Sequence, residues 1–150
     1  MQNLTIIMYH YVRPIAKSSY PLIKGLELDS FKTQLNYLEK NYEIVTMESV
    51  IDFIKNKKKI PSNSCLLTFD DGYKDHYLNV YPELKKRNIQ GSFFPPARPI
   101  LEKIILDVNK IHLVLAKQPN TKILIDDIRK LINEEIKNNK TKLHSFDEYW

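Results

Sequence analysis

Residues Cys65-Leu66-Leu67-Thr68-Phe69-Asp70-Asp71-Gly72-Tyr73 decide how this chain is read. Cys65, Leu66 and Leu67 form a short apolar run, and Thr68 and Phe69 continue its β preference, so the segment predicts a buried strand. Two adjacent carboxylates stand where that strand stops, and Gly72 permits a sharp turn behind them. In parallel α/β sheets and barrels, reactive groups sit where strands end and loops begin. Asp70 and Asp71 are therefore candidate site residues. Asp-Asp-Gly at a strand end is also a plain turn signal, so the surrounding sequence has to decide between the two readings.

Upstream, Leu4 to Met8 predicts a first strand that runs into Tyr9-His10-Tyr11, then Pro14 and a polar loop through Pro21. Asp29 or Ser30 is expected to cap a helix whose apolar face is Phe31, Leu35 and Leu38. Tyr42 to Val45 reads as a second strand. Thr46 then caps a short helix carrying Val50, Ile51 and Ile54, and Pro61 helps to end the basic loop that follows. The third strand delivers Asp70.

Downstream, Tyr77, Val80, Tyr81 and Leu84 have helical spacing, and Pro82 sets the start of the regular helix near Tyr81, with the proline in its first turn. Asn88 is the expected stop, and Gly91-Ser92-Phe93-Phe94 reads as a fourth strand closed by Pro95 and Pro96. Arg98-Pro99-Ile100 reads as loop. Strand, helix, strand units joined by short links indicate an α/β architecture with parallel strands over 1–100. The remainder, 101–150, reads as helical. Leu101, Ile104, Ile105, Val108, Ile111 and Leu115 form one stripe, and Leu124, Ile125, Ile128, Leu131, Ile132 and Ile136 form another after the Pro119-Asn120-Thr121 break. No strand is expected after Phe94.

With 150 residues and 43% hydrophobic content, the chain can build one domain with a core but not a second full one. Its net charge of +5 gathers around Lys55, Lys57, Lys58 and Lys59 and around Lys85, Lys86 and Arg87, near the ends of predicted helices, where cations complement the dipole. These clusters read as solvated faces, because no aromatic residues are interleaved in nucleic-acid fashion. The single cysteine, Cys65, excludes an intrachain disulfide and reads as core. The first apolar stretch has no charged segment before it and ends after few residues, so neither a signal peptide nor a membrane span is expected; the expected compartment is cytoplasmic, with the cell envelope as the alternative.

Thr68-Phe69-Asp70-Asp71-Gly72, followed by Gly91-Ser92-Phe93-Phe94-Pro95, resembles the opening of the polysaccharide deacetylase family, also called carbohydrate esterase family 4 or the NodB homology domain. Met8-Tyr9-His10-Tyr11-Val12 is similar to the first-strand signature of one branch, and Asp107-Val108-Asn109-Lys110-Ile111-His112 is similar to a helical insertion in some members, so the likeness covers most of the chain. The resemblance implies part of a distorted (β/α) barrel and a hydrolase that removes N-acetyl groups from an amino sugar or polysaccharide. It also implies a divalent metal, commonly zinc. By the same resemblance, Asp70 is the general base and Asp71 a metal ligand. A cation would polarise the amide carbonyl and gather the negative charge of the tetrahedral intermediate, while the neighbouring base takes a proton from water.

The chain departs from the family pattern in one important respect. The family completes its metal site with a His-x-x-x-His pair, and His10, His76, His112 and His144 contain no two residues four apart. His144-Ser145-Phe146-Asp147-Glu148 is the nearest imitation, but it reads as a continuation of the helical segment. One carboxylate falls short of the three protein ligands usual for catalytic zinc. The later arginine-proline-aromatic and leucine-histidine motifs are also missing, so the chain reads as a truncated, N-terminal part of a deacetylase. The alternative reading is an inactive remnant or carbohydrate-binding module of the same fold. Phosphoryl transfer by an aspartate nucleophile would need two aspartates separated by one residue, whereas Asp70 and Asp71 are adjacent.

Other residues keep two readings. His10 ends the first strand, near the site or as a structural histidine; His76 begins a helix; His112 is a core or interface residue. Tyr9, Tyr11 and Tyr73 either line a sugar site with their flat faces or simply pack, and Tyr73 is the one placed nearest the acid pair in sequence. An incomplete set of parallel strands leaves an open edge and an apolar face, so self-association is expected.

Overall fold

The computed structural model describes residues 3–138 of the chain. In chain order its elements are β1 (Asn3–Tyr9), β2 (Val12–Arg13), a 3₁₀ turn (Ile15–Lys17), β3 (Leu26–Glu27), α1 (Leu28–Asn41), β4 (Glu43–Ile44), α2 (Met47–Asn56) and β5 (Asn63–Asp70). A π-helical turn (His76–Val80) then leads into α3 (Tyr81–Lys86), followed by β6 (Ser92–Phe94), α4 (Ala97–Glu102), α5 (Asp107–Lys117) and α6 (Thr121–Lys137). Among the described residues no strand follows Phe94.

The main sheet is organised around β5. On one side β1 pairs with it in parallel from Asn3 opposite Asn63 to Tyr9 opposite Phe69. On the other side two short strands share its length: β4 pairs at Ser64 and Cys65, and β6 pairs at Thr68, Phe69 and Asp70, both in parallel. The expected parallel α/β units are thus present. The sheet is open, however, and the barrel geometry that the resemblance implied is not formed by the described residues. β2 and β3 make a separate parallel pair that the sequence pattern did not reveal.

Alternation along β5 explains why the two faces differ. Cys65, Leu67 and Phe69 point to one side, where Phe31, Leu35 and Leu38 of α1, Val80 of the π-helical turn and Leu84 of α3 close over them with Tyr9 and Val12. Each such side chain fully withdrawn from water contributes roughly 1.5–3 kcal/mol. On the opposite face Leu66 is buried with Val45 and with Val50 of α2, while Leu4 and Met47 pack against them. That cover stops part-way. Ile6 and Met8, which share the face with Leu66, are 57% and 59% exposed.

Four local expectations need correction. α1 starts earlier than expected, with Glu27 in the cap position and no side-chain cap, because Glu27 belongs to β3 and its carboxylate accepts the Ile15 amide at 2.5 Å. Asp29 consequently lies in the first turn. Thr46 does cap α2, accepting from the Ser49 amide at 3.2 Å, but of the expected apolar face only Val50 is buried; Ile51 and Ile54 are exposed. The stripe from Leu101 to Leu115 is not one helix: Lys103 adopts left-handed backbone at φ 53° and separates α4 from α5. Arg98-Pro99-Ile100 lies inside α4, where Pro99 sits in the first turn, a position compatible with proline's missing N–H.

Candidate active site

Asp70 is the last residue of β5, half-buried, and its backbone is paired with Phe94 of β6. The next two residues turn the chain sharply through left-handed backbone, Asp71 at φ 72° and Gly72 at φ 60°. For a residue with a Cβ that conformation costs on the order of 1–2 kcal/mol, and aspartate is among the few side chains that enter it with any frequency. The turn places Asp70 and Asp71 side by side in the lining of one open recess of about 450 Å³, which they share with Phe94 and Pro96.

The carboxylate of Asp71 is fixed from below. The Tyr73 hydroxyl donates to Asp71 Oδ2 at 2.6 Å, and the Tyr73 ring stacks on Tyr11 with centroids 4.1 Å apart. Asn109 of α5 completes the arrangement, its Nδ2 donating to the Tyr73 hydroxyl at 2.8 Å and, more distantly, reaching the Tyr11 hydroxyl at 3.5 Å. The Tyr11 hydroxyl also lies 3.4 Å from His112 Nδ1. Burial first, then the bond to Asp71, raises the Tyr73 phenol far above the ordinary tyrosine range. It stays protonated and remains a donor. Arg13, whose guanidinium lies over the Tyr11 ring, pairs through Nε with Asp75 Oδ2 at 2.5 Å.

The other singled-out residues fall into place as follows. His10 and Asp70 each follow the last strand pair, Tyr9 opposite Phe69, so they stand level at the C-terminal edge of the sheet; the His10 side chain is exposed. Its carbonyl accepts from Nε2 of His76 at 2.7 Å. His76 does begin a helical turn, and it is buried among the Phe69, Tyr73 and Phe93 rings. Tyr9 is core, stacked on Phe69. Of the two readings of His112, core or interface, the core one is not met: it is exposed on α5, with its ring edge-on to Tyr11. His144, Asp147 and Glu148 lie outside the described residues.

Sequence reasoning missed Asn109 and the part played by Tyr11. A signal was available, since Asn109 and His112 are three apart and share one helix face, the spacing at which two polar side chains can grip one partner.

The donor set does not fit a complete metal centre. Among the described residues no group of three His, Cys, Asp or Glu side chains is close enough to hold an ion, and Asp71 already accepts from Tyr73. What the described residues offer is an acid pair in an open recess.

Three comparisons bear on this site. The family model described as Polysaccharide deacetylase matches residues 57–145, a segment that contains the acid pair and β6. A Bacillus subtilis (strain 168) protein named "Putative polysaccharide deacetylase YxkH" is 32% identical over 103 residues, which are 67% of this chain and 34% of that protein. The de-N-acetylase from Aggregatibacter actinomycetemcomitans superposes with a TM-score of 0.53 at 28% identity, covering 61% of this chain and 37% of its own. IcaB from Ammonifex degensii gives 0.50 at 30% identity, covering 63% of this chain and 39% of its own. The chain thus spans little more than a third of the length of these relatives. Because the family model runs through the turn that carries Asp70 and Asp71 and covers more than half of the chain, the chain belongs to the polysaccharide deacetylase family.

Proposed function

We propose that this chain contributes the acid pair of a metal-dependent carbohydrate N-deacetylase, with Asp70 as the general base and Asp71 as one ligand to a divalent cation, zinc foremost. The substrate class is an N-acetylated amino sugar or its polymer. The observation that carries this reading is the placement of two adjacent carboxylates in one open recess at the C-terminal edge of a parallel strand.

The two acids are not equivalent, which supports separate roles. Asp71 has one oxygen held by the Tyr73 hydroxyl and a backbone locked in the turn, as suits a group that must present a fixed oxygen. Asp70 closes the strand beside Phe94 at the same recess, where it can take a proton from a water attacking an amide carbonyl. The remaining ligands and the acid for the departing amine are not supplied by the described residues.

The test is acetate release from N-acetylglucosamine oligomers in the presence of zinc or cobalt. It compares the 150-residue chain with the same chain joined to the portion of the Bacillus subtilis relative that follows the matched region. The chain alone is expected to show no turnover above background, whereas the joined protein is expected to turn over and to lose that activity in Asp70→Asn and Asp71→Asn. Full activity in both variants, or robust turnover by the chain alone, would overturn the assignment.

A further inference from the structure

We propose that Asn109 is a positioning residue that sets the direction of the hydrogen bond on Asp71, so that helix α5 controls the acid pair from outside the sheet. The inference rests on reading Asp71 as a working carboxylate. Its content is a matter of proton counting.

A phenol hydroxyl has one proton to give and lone pairs to receive. Tyr73 faces three polar neighbours: the Asp71 carboxylate at 2.6 Å, the Asn109 amide at 2.8 Å and the Tyr11 hydroxyl. An ionised carboxylate can only accept, and an amide NH₂ can only donate. With Nδ2 of Asn109 donating to a lone pair of the hydroxyl, its single proton is directed away from Asn109 and goes to the carboxylate, a stronger acceptor than the Tyr11 hydroxyl beside it. The chain of donors runs one way, from Asn109 to Tyr73 to Asp71. Two donors in series also polarise one another, so the bond reaching Asp71 is stronger for having Asn109 behind it.

The surroundings keep Tyr73 in this line. Its ring is stacked on Tyr11, which leaves the phenol little freedom to swing away, and Tyr11 is itself touched by Asn109 and His112 of the same helix. Leu113 and Ala116 of α5 join the small apolar cluster around Tyr11, Ile23 and Tyr73, so the helix is seated by packing as well as by polar contacts. The acid turn and α5 are separated by more than thirty positions in sequence, and these side chains couple them: the Asn109–Tyr73 bond spans 36 residues.

Asn109→Asp tests the idea without changing shape. Aspartate is isosteric with asparagine but offers no donor, so the Tyr73 proton would be shared between two carboxylates and Asp71 would lose its partner for part of the time. Because the new carboxylate also acts on Asp71 by its charge, Asn109→Ser, which adds none and has a shorter side chain, is the deciding variant: if Asn109 only packs, it leaves Asp71 as it was. The readout is the carboxyl ¹³C resonance of Asp71 at fixed neutral pH in chain labelled with ¹³C-aspartate, assigned with Asp70→Asn and Asp71→Asn. Tyr73→Phe, which removes the donor altogether, gives the full displacement. We expect Asn109→Asp and Asn109→Ser to move the Asp71 resonance part-way in the same direction as Tyr73→Phe, with the Asp70 resonance displaced less, and with circular dichroism unchanged. An Asp71 resonance that moves in Tyr73→Phe but stays at its original position in both Asn109 variants would overturn the role of Asn109; one that moves in none of them would overturn the whole line of donors. Because the measurement needs neither metal nor turnover, absence of deacetylase activity in the joined protein would count against the proposed reaction and leave this result intact.

Discussion

Gly72 and Pro95 meet beneath the acid turn: a Cβ placed on residue 72 would lie 2.7 Å from Pro95 Cβ and 3.0 Å from its Cα. The first prolyl residue after β6 therefore fills the space that the missing side chain leaves, and the turn carrying Asp71 is locked against the end of the neighbouring strand. Gly72 also holds φ 60°, which an L side chain resists. Gly72→Ala combines left-handed strain with overpacking against a rigid ring, and is expected to cost about 2–4 kcal/mol. A urea unfolding midpoint equal to that of the parent chain would show that the turn is slack.

Phe69 is the residue on which the core beside the site depends. It is wholly buried, stacks on Tyr9 at 5.2 Å and on Phe93 at 4.9 Å, and meets Phe31 edge-on. Phe69→Ala should lose about 3–5 kcal/mol, a large part of the stability of a single domain. Asp70→Asn, one position along and facing the open recess, should stay within about 0.5 kcal/mol, because it opens no cavity. Thermal or urea unfolding of the two variants side by side checks the contrast. Equal losses would mean that the ring cluster is not what holds the end of β5.

These two neighbours also show what a sequence can and cannot disclose. The strand to Asp70, the helix face of Phe31, Leu35 and Leu38, the Thr46 cap and the proline start of α3 were legible because each is written in a few consecutive residues whose spacing or stereochemistry permits little else. The start of α1 was not, since it depends on Glu27 pairing across the chain with Arg13 in a strand of two residues. The break at Lys103 carries no glycine, proline or asparagine to announce it. At the site, adjacency revealed Asp70 and Asp71, whereas the hold on Asp71 through Tyr73, Asn109 and Tyr11 arises only when distant segments meet.

Alkaline pH should destabilise the fold, in part through Tyr9. Burial, with a smaller contribution from the nearby Cys65 thiol, pushes its phenol from 10.0 up to about 12, and its hydroxyl donates to Gln34 at 3.1 Å. The folded state therefore holds the proton more tightly than the unfolded chain. Its contribution to stability is complete below pH 10 and is lost as the pH rises from there through about 12, a change of roughly 2–3 kcal/mol. Burial raises the Cys65 thiol as well, and the Tyr73 phenol further than that of Tyr9, so both add loss in the same direction. Tyr9→Phe should lessen this dependence, the remainder belonging to Tyr73 and Cys65, and unfolding free energies measured from pH 9 to 12 that fall equally in both proteins would rule out a contribution from Tyr9.

The uncovered half of the sheet should make the chain associate with itself. Parallel sheets are normally buried on both faces, yet Ile6 and Met8 project from β1 into solvent on the face opposite α1, and β1 presents an unpaired edge among the described residues. A second copy can cover both the face and the edge. Light scattering is expected to show species larger than the 17.8 kDa chain, growing with concentration. Ile6→Lys with Met8→Lys places two cations on that face and should shift the population towards monomer while leaving the α1-covered core intact. Wild-type protein that stays a compact monomer at every concentration would reject the association. If instead the double variant associates as strongly as the parent, the contact lies elsewhere, and the exposed apolar residues of α5 and α6 become the surface to alter next.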